Sequence, residues 1–219
     1  MDDVCNALSK LPWTGRIQGF HEKDESVTVL HTYATTTWLT TTHENQMLDL
    51  LAQDLLDYDG DGIEVVSTYF FQVLYNALVG KSDGRWVKRL GHSLGNGQQR
   101  YLATIVSSFG THWVAIILDF GHGIVWHGDS LGWKLEDRIK TALDWFTHRY
   151  TSLKFSYQKL PITHQDDSFS CGLLAWNALS HFFLPAEHPL IEPTQVSLEG
   201  LKVLLRACAH QVKGSHLSI

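Results

Sequence analysis

Apolar residues recur at helical spacing in the first half of the chain: Met47, Leu48, Leu50, Leu51, Leu55 and Leu56 predict an amphipathic helix of about 14 residues. Thr41 or Thr42 followed by Glu44 reads as its cap-like opening, and the polar run Asp57 to Gly62 stops it. A second apolar helix is expected over about 66–79, burying Phe70, Phe71, Val73, Leu74, Ala77 and Leu78. Residues 80–100, with their glycines and scattered Lys and Arg, read as a connection. The period then changes from helical to extended. The runs 101–109 and 112–120 are rich in β-branched and aromatic residues, and Gly121-His122-Gly123 turns the chain into a third run, 124–127. A helix follows over 135–150 with Leu135, Ile139, Leu143 and Phe146 on one face, and 153–160 alternates as a fourth strand. Residues 161–170 are polar loop, 171–184 a strongly apolar helix, and 196–212 a last helix beyond Pro185, Pro189 and Pro193. Residues 1–37 show only one short alternating segment, 26–31, before a threonine-rich loop over 32–42. Helices, a small antiparallel-containing sheet and more helices make the class α+β.

Composition narrows what such a domain does. The 219 residues suit one domain with a substantial core, since 44% are hydrophobic and only 18% charged. The net charge of -6 argues against a general nucleic-acid surface, which needs a clustered basic face. The longest apolar run, Trp113 to Leu118, is far short of the roughly 20 residues of a membrane helix. The acidic start MDDVCNALSK does not read as a signal peptide, so the expectation is a soluble, intracellular protein of nucleus or cytoplasm. Three cysteines, Cys5, Cys171 and Cys208, none in a C-x-x-C, fit a reducing compartment rather than a disulfide scaffold.

No metal is expected. Asp57-x-Asp59-x-Asp61-Gly62 has the opening of a calcium loop, but position 12 is Thr68 and position 8 is Glu64, so the bidentate Glu is missing. The thirteen histidines are scattered, and none pairs at H-x-x-x-H spacing on a predicted helix.

One constellation is chemically specific. If 112–120 and 124–130 form a hairpin about the glycine turn, residues whose numbers sum to about 241–244 lie opposite each other. That places Asp129 beside His112, whereas Asp119 lies some 23 Å along the strand on the other face. Cys171 begins a helix directly after a polar loop, where the helix dipole favours a thiolate. A thiolate beside an imidazolium oriented by a carboxylate is a nucleophile arrangement for acyl transfer. Gln165, six residues upstream of Cys171, and the Cys171 N–H supply donors for a developing oxyanion.

The order His112-Trp113, Asp129-Ser130-Leu131 and Gln165-x5-Cys171-Gly172 resembles the ubiquitin-like-protein-specific (Ulp, SUMO or sentrin type) cysteine proteases. Upstream, Trp38-Leu39 leading into a helix resembles the family's Trp-Leu-Asn-Asp segment. The resemblance covers about 38–184 and implies a papain-like fold, a His–Asp–Cys triad of His112, Asp129 and Cys171, an oxyanion Gln165 and no cofactor. It also implies that Trp38 and Trp113 wall a tunnel for a Gly-Gly tail, and that the partner is a ubiquitin-like protein. Two positions depart from the family pattern: Thr41 stands in place of its acidic residue, and Ser170 in place of the Asp before the nucleophile. In the family, acidic residues near the Trp-Leu segment help hold a basic patch on the partner, so their absence weakens the assignment to SUMO, the first expectation, and leaves ubiquitin or NEDD8 open. The expected organisation is one domain, 1–219, with an N-terminal segment 1–37, a catalytic core 38–184 and a helical extension 185–219. The competing readings are an effector-type acetyltransferase using the same triad, for which no basic acyl-CoA phosphate patch is evident, and a catalytically silent binding module.

Overall fold

In a computed structural model the chain is described over residues 2–216, apart from Pro12, Lys23 and Asp59, and its side chains from 5 to 211. Asp59 of the calcium-like run therefore lies outside the described residues. The centre is a five-stranded sheet of order β1-β2-β3-β4-β5, made of β1 (Ile63–Val65), β2 (Tyr101–Ser108), β3 (His112–Asp119), β4 (Ile124–Gly128) and β5 (Ser156–Lys159). Consecutive tight connections make β2, β3 and β4 antiparallel. The edges are parallel, because β1 reaches β2 and β4 reaches β5 only through intervening helices. Along β3 all eight residues are buried, so this strand reads as a continuous apolar run rather than an alternating one. Trp113, Ala115 and Ile117 enter one core layer, and Val114, Ile116 and Leu118 the other.

The first layer holds α2 (Thr41–Asp57), α6 (Cys171–Phe183) and α7 (Val196–His216). The second holds α3 (Tyr69–Leu78), α4 (Arg85–Gly95) and α5 (Asp137–Tyr150). Further out, α1 (Asp2–Ser9) contacts α7. No helix among the described residues is long and apolar enough to cross a membrane.

Four local readings change. The segment 80–100 is not a mere connection, because α4 buries Val87, Leu90, Gly91 and Leu94 at helical spacing. The two glycines inside α4 look like loop residues but serve packing: a Cβ at Gly91 would come 2.3 Å from the ring of Tyr150, and one at Gly95 2.2 Å from the Tyr150 carbonyl oxygen. The alternating segment near 26–31 is a 3₁₀ helix, Val27–Ala34, whose buried residues Val27, Leu30 and Tyr33 follow its period of three. The short parallel strand β1 was not separable from the following apolar helix by pattern alone. Finally, α2 is capped one residue earlier than expected: Thr40 N–H donates to His43 Nδ1 at 3.1 Å, which turns Glu44 into the core.

Candidate active site

The β3–β4 ladder pairs Ala115 with Gly128 and Asp119 with Ile124, a constant sum of 243. That register carries Asp129, one residue past β4, to the start of β3. His112 Nε2 and Asp129 Oδ1 are 3.0 Å apart, and both side chains are only 4% exposed. Asp129 Oδ1 also accepts the Leu131 N–H at 2.8 Å. Burial raises the Asp129 carboxyl, but the hydrogen bonds from His112 and Leu131 and the charge of His112 outweigh it and lower the group below its ordinary range.

His112 also hydrogen-bonds Cys171, so its imidazole bridges carboxylate and sulfur. Burial disfavours the imidazolium. The hydrogen bonds to Asp129 and Cys171, together with the charges of both, prevail and raise His112 from 6.5 to about 9. Cys171 opens α6, buried. The preceding loop is fastened by Asp167, whose Oδ1 accepts the N–H groups of Phe169 at 2.9 Å and Ser170 at 2.8 Å.

Gln165 is buried on this loop and tied to the residue after Asp129. Its N–H donates to Ser130 O at 2.8 Å, and Ser130 Oγ donates to Gln165 Oε1 at 2.9 Å. Its amide nitrogen donates to Asp167 O at 2.9 Å and Oδ1 at 3.2 Å. The side chain is thus fixed in the loop that leads to the thiol, with its donors engaged within that loop.

Trp38 and Trp113 also come together, in an arrangement tighter than two walls of an open channel. Their rings are nearly parallel, 10° apart in plane, with centroids 5.2 Å apart. A backbone inserted between two rings needs about 7 Å, twice the ordinary carbon–carbon contact, so the pair is closed on itself. Trp113 is buried and donates its indole N–H to Leu39 O at 2.7 Å. Trp38 donates its own to Cys171 Sγ at 3.2 Å, a contact between residues 133 positions apart that no sequence pattern announces.

Two further features escaped the sequence reading. Trp133, half exposed, lies with its ring centroid 5.3 Å from that of His112. It borders a cleft of about 440 Å³ lined also by His127, Asp129, Ser130, Leu160 and Ile162. Glu44 packs against Gly172, the residue after the thiol, fully buried, with neither carboxyl oxygen hydrogen-bonded.

No protein-family model matches the chain, and no curated protein matches its sequence. Solved structures do match. The SUMO protease Ulp1 with its catalytic cysteine oxidised to a sulfenic acid superposes with a TM-score of 0.70 at 17% identity, over 95% of this chain and 93% of that one. The C-terminal Ulp1 protease domain in complex with Smt3, the yeast orthologue of SUMO, gives 0.68 at 16% identity, over 96% and 95%. The Ulp1-like SUMO protease catalytic domain of Chaetomium thermophilum gives 0.61 at 17%, over 83% and 77%. The chain therefore has the fold of Ulp1-type protease domains, a mixed sheet between two helical layers.

Proposed function

We propose that this chain is a cysteine peptidase that cleaves after the C-terminal Gly-Gly of a ubiquitin-like modifier, with SUMO the first candidate and ubiquitin or NEDD8 the alternatives. The observation that carries the reading is the buried imidazole of His112, held between the Asp129 carboxylate at 3.0 Å and the Cys171 sulfur. The likeness to SUMO protease domains along nearly the whole chain supports the same chemistry.

Cys171, as the thiolate, attacks the carbonyl carbon of the terminal glycine. The positive end of α6 and the Trp38 N–H both stabilise charge on the sulfur. The tetrahedral oxyanion is met by the Cys171 N–H and the Gln165 amide, which must exchange a contact with Asp167 for one with substrate. His112, protonated, gives its proton to the leaving amine, while Asp129 keeps the ring oriented. Water then attacks the thioester with His112 as base. The cleft beside Asp129 and Trp133 lies on the His112 side of the thiol, where the leaving chain departs. Entry of the tail requires Trp38 and Trp113 to part, and a gap just wide enough for backbone admits glycine alone, since it lacks a Cβ.

The test is a set of SUMO, NEDD8 and ubiquitin probes ending in a C-terminal propargylamide. At least one should form a covalent adduct at Cys171, and failure of all three overturns the reading.

Gln165→Ala should lower kcat by roughly 10²–10³-fold with KM little changed, because its donor meets charge that develops only in the transition state. Loss of thermal stability with kcat unchanged would instead make Gln165 only a brace between Ser130 and Asp167.

His112 sets the pH range. With its value raised to about 9, the imidazolium contributes stability that is fully present below pH 6.5 and is lost as pH rises through about 9. The same proton serves the leaving amine, so kcat/KM should fall on the alkaline side with a midpoint near 9. A midpoint near 6.5 would mean that Asp129 and Cys171 do not hold the cation.

A further inference from the structure

Glu44 is the buried titratable group that this mechanism leaves unused. The early cap at Thr40 turns it inward on the first turn of α2, toward the start of α6. Its exposure is zero, and both carboxyl oxygens lack a hydrogen-bond partner. It packs against the residue after the nucleophile so closely that a Cβ at Gly172 would lie 1.8 Å from Oε1 and 3.1 Å from Oε2. The three atoms nearest to that Cβ all belong to Glu44, so Gly172 is glycine because of this carboxyl.

An unpaired carboxylate in such a place costs far more than a neutral acid. The titratable groups that face it are Cys171 from α6 and the phenol of Tyr33 from the 3₁₀ helix. Neither supplies a cation, and none of the ion pairs among the described residues includes Glu44. Neighbouring His43 turns away, its Nδ1 to Thr40 and its Nε2 to Val29 O. Burial first, and the charge of Cys171 second, push the Glu44 carboxyl well above its ordinary value.

We propose that Glu44 is a positioning residue for the nucleophile: it is held as the neutral acid beneath Gly172, and its proton is linked to the charge on Cys171. The region has room for one negative charge. It rests on sulfur because His112 supplies a cation there and nothing supplies one to Glu44. By reciprocity, a thiolate holds the proton on Glu44, and an ionised Glu44 drives the thiolate back to the thiol. Thioester formation removes the sulfur's charge and so lowers the Glu44 carboxyl toward its ordinary range, and hydrolysis, which returns the thiolate, raises it again.

This inference deepens the thiol-protease reading, since it takes Cys171 as the thiolate, but its test needs no turnover. Infrared spectroscopy separates the carbonyl stretch of a protonated carboxyl from the bands of carboxylates. At neutral pH the intact protein should show a protonated-carboxyl band that Glu44→Gln lacks. Alkylating Cys171 with iodoacetamide removes the thiolate, and should move the midpoint at which that band disappears to lower pH, on the order of one unit. Gly172→Ala should abolish the band at neutral pH by displacing the carboxyl, and should cut the alkylation rate of Cys171 at least tenfold. Glu44→Ala/Gly172→Ala has room for the added methyl and should recover that rate. Absence of the band in the intact protein, or a midpoint unmoved by alkylation, overturns the proposal. So does a Gly172→Ala loss that the double variant fails to recover. A band that behaves as stated in a protein that cleaves no modifier would sink the protease reading and leave the linkage standing.

Discussion

Replacing Cys171 with alanine is expected to abolish turnover, with a loss on the order of 10⁶-fold in kcat, as for removal of the nucleophile from other catalytic triads. The substitution removes one buried sulfur from the first turn of α6. The helix start itself is held by other groups, Asp167 on the Phe169 and Ser170 N–H groups and Ser170 O on the Leu174 N–H. Thermal stability should therefore change by only about 1 kcal/mol, the common size for a small deletion without a charged orphan. His112 keeps Asp129 as a partner. Trp38 loses the acceptor for its indole N–H, which frees the ring that closes against Trp113. The variant should consequently bind a Gly-Gly-ended modifier at least as well as the intact protein while forming no adduct with the propargylamide probe. Adduct formation in Cys171→Ala would place the nucleophile elsewhere. The other cysteines are poor candidates: Cys208 is buried in α7, where burial pushes its thiol up to about 11, and Cys5 is exposed on α1.

What could be read from the chain depended on how local its cause was. The β3–β4 hairpin is a local object: its turn glycines and β-rich runs set a register, and the register alone selects Asp129 over Asp119. The start of α6 is equally local, a polar loop giving way to an apolar helix at Cys171. The helix α4 was hidden because Gly91 and Gly95 answer to Tyr150, more than fifty positions away, rather than to a turn. Glu44 looked like a capping residue because threonines repeat along Thr40, Thr41 and Thr42; only the hydrogen bond from Thr40 N–H to His43 Nδ1 shows which threonine is used. The Trp38–Cys171 contact and the closed ring pair follow from the meeting of distant segments, and a motif can name such residues without fixing their distance. The same limit applies to Gln165. Its place before the nucleophile was legible, but its engagement with Asp167 and Ser130 was not.

Asp129→Asn should lower kcat by about 10⁴-fold, while Asp119→Asn should leave it largely intact, and the contrast rests on what each carboxylate holds. Asp129 accepts from His112 Nε2, which leaves the rest of the ring committed to Cys171. An amide at 129 can still accept the Leu131 N–H, so the backbone there should survive. With its oxygen held there it still faces His112 Nε2, because both bonds meet Oδ1, but it cannot supply the charge that orients the ring and holds His112 near 9. The alkaline limb of kcat/KM should then move to lower pH along with the loss in rate, a joint change that simple destabilisation does not produce. Asp119 has a different task. Its Oδ1 accepts the N–H groups of Gly121 at 2.9 Å and His122 at 3.0 Å, and Oδ2 lies 2.7 Å from His122 Nδ1, so it fastens the turn at the far end of the hairpin. Asp119→Asn should reduce thermal stability and leave the pH profile where it was. Equal losses of kcat in the two variants would mean that the carboxylates act through the stability of the hairpin. A shifted alkaline limb in Asp129→Asn alone identifies the one that orients His112.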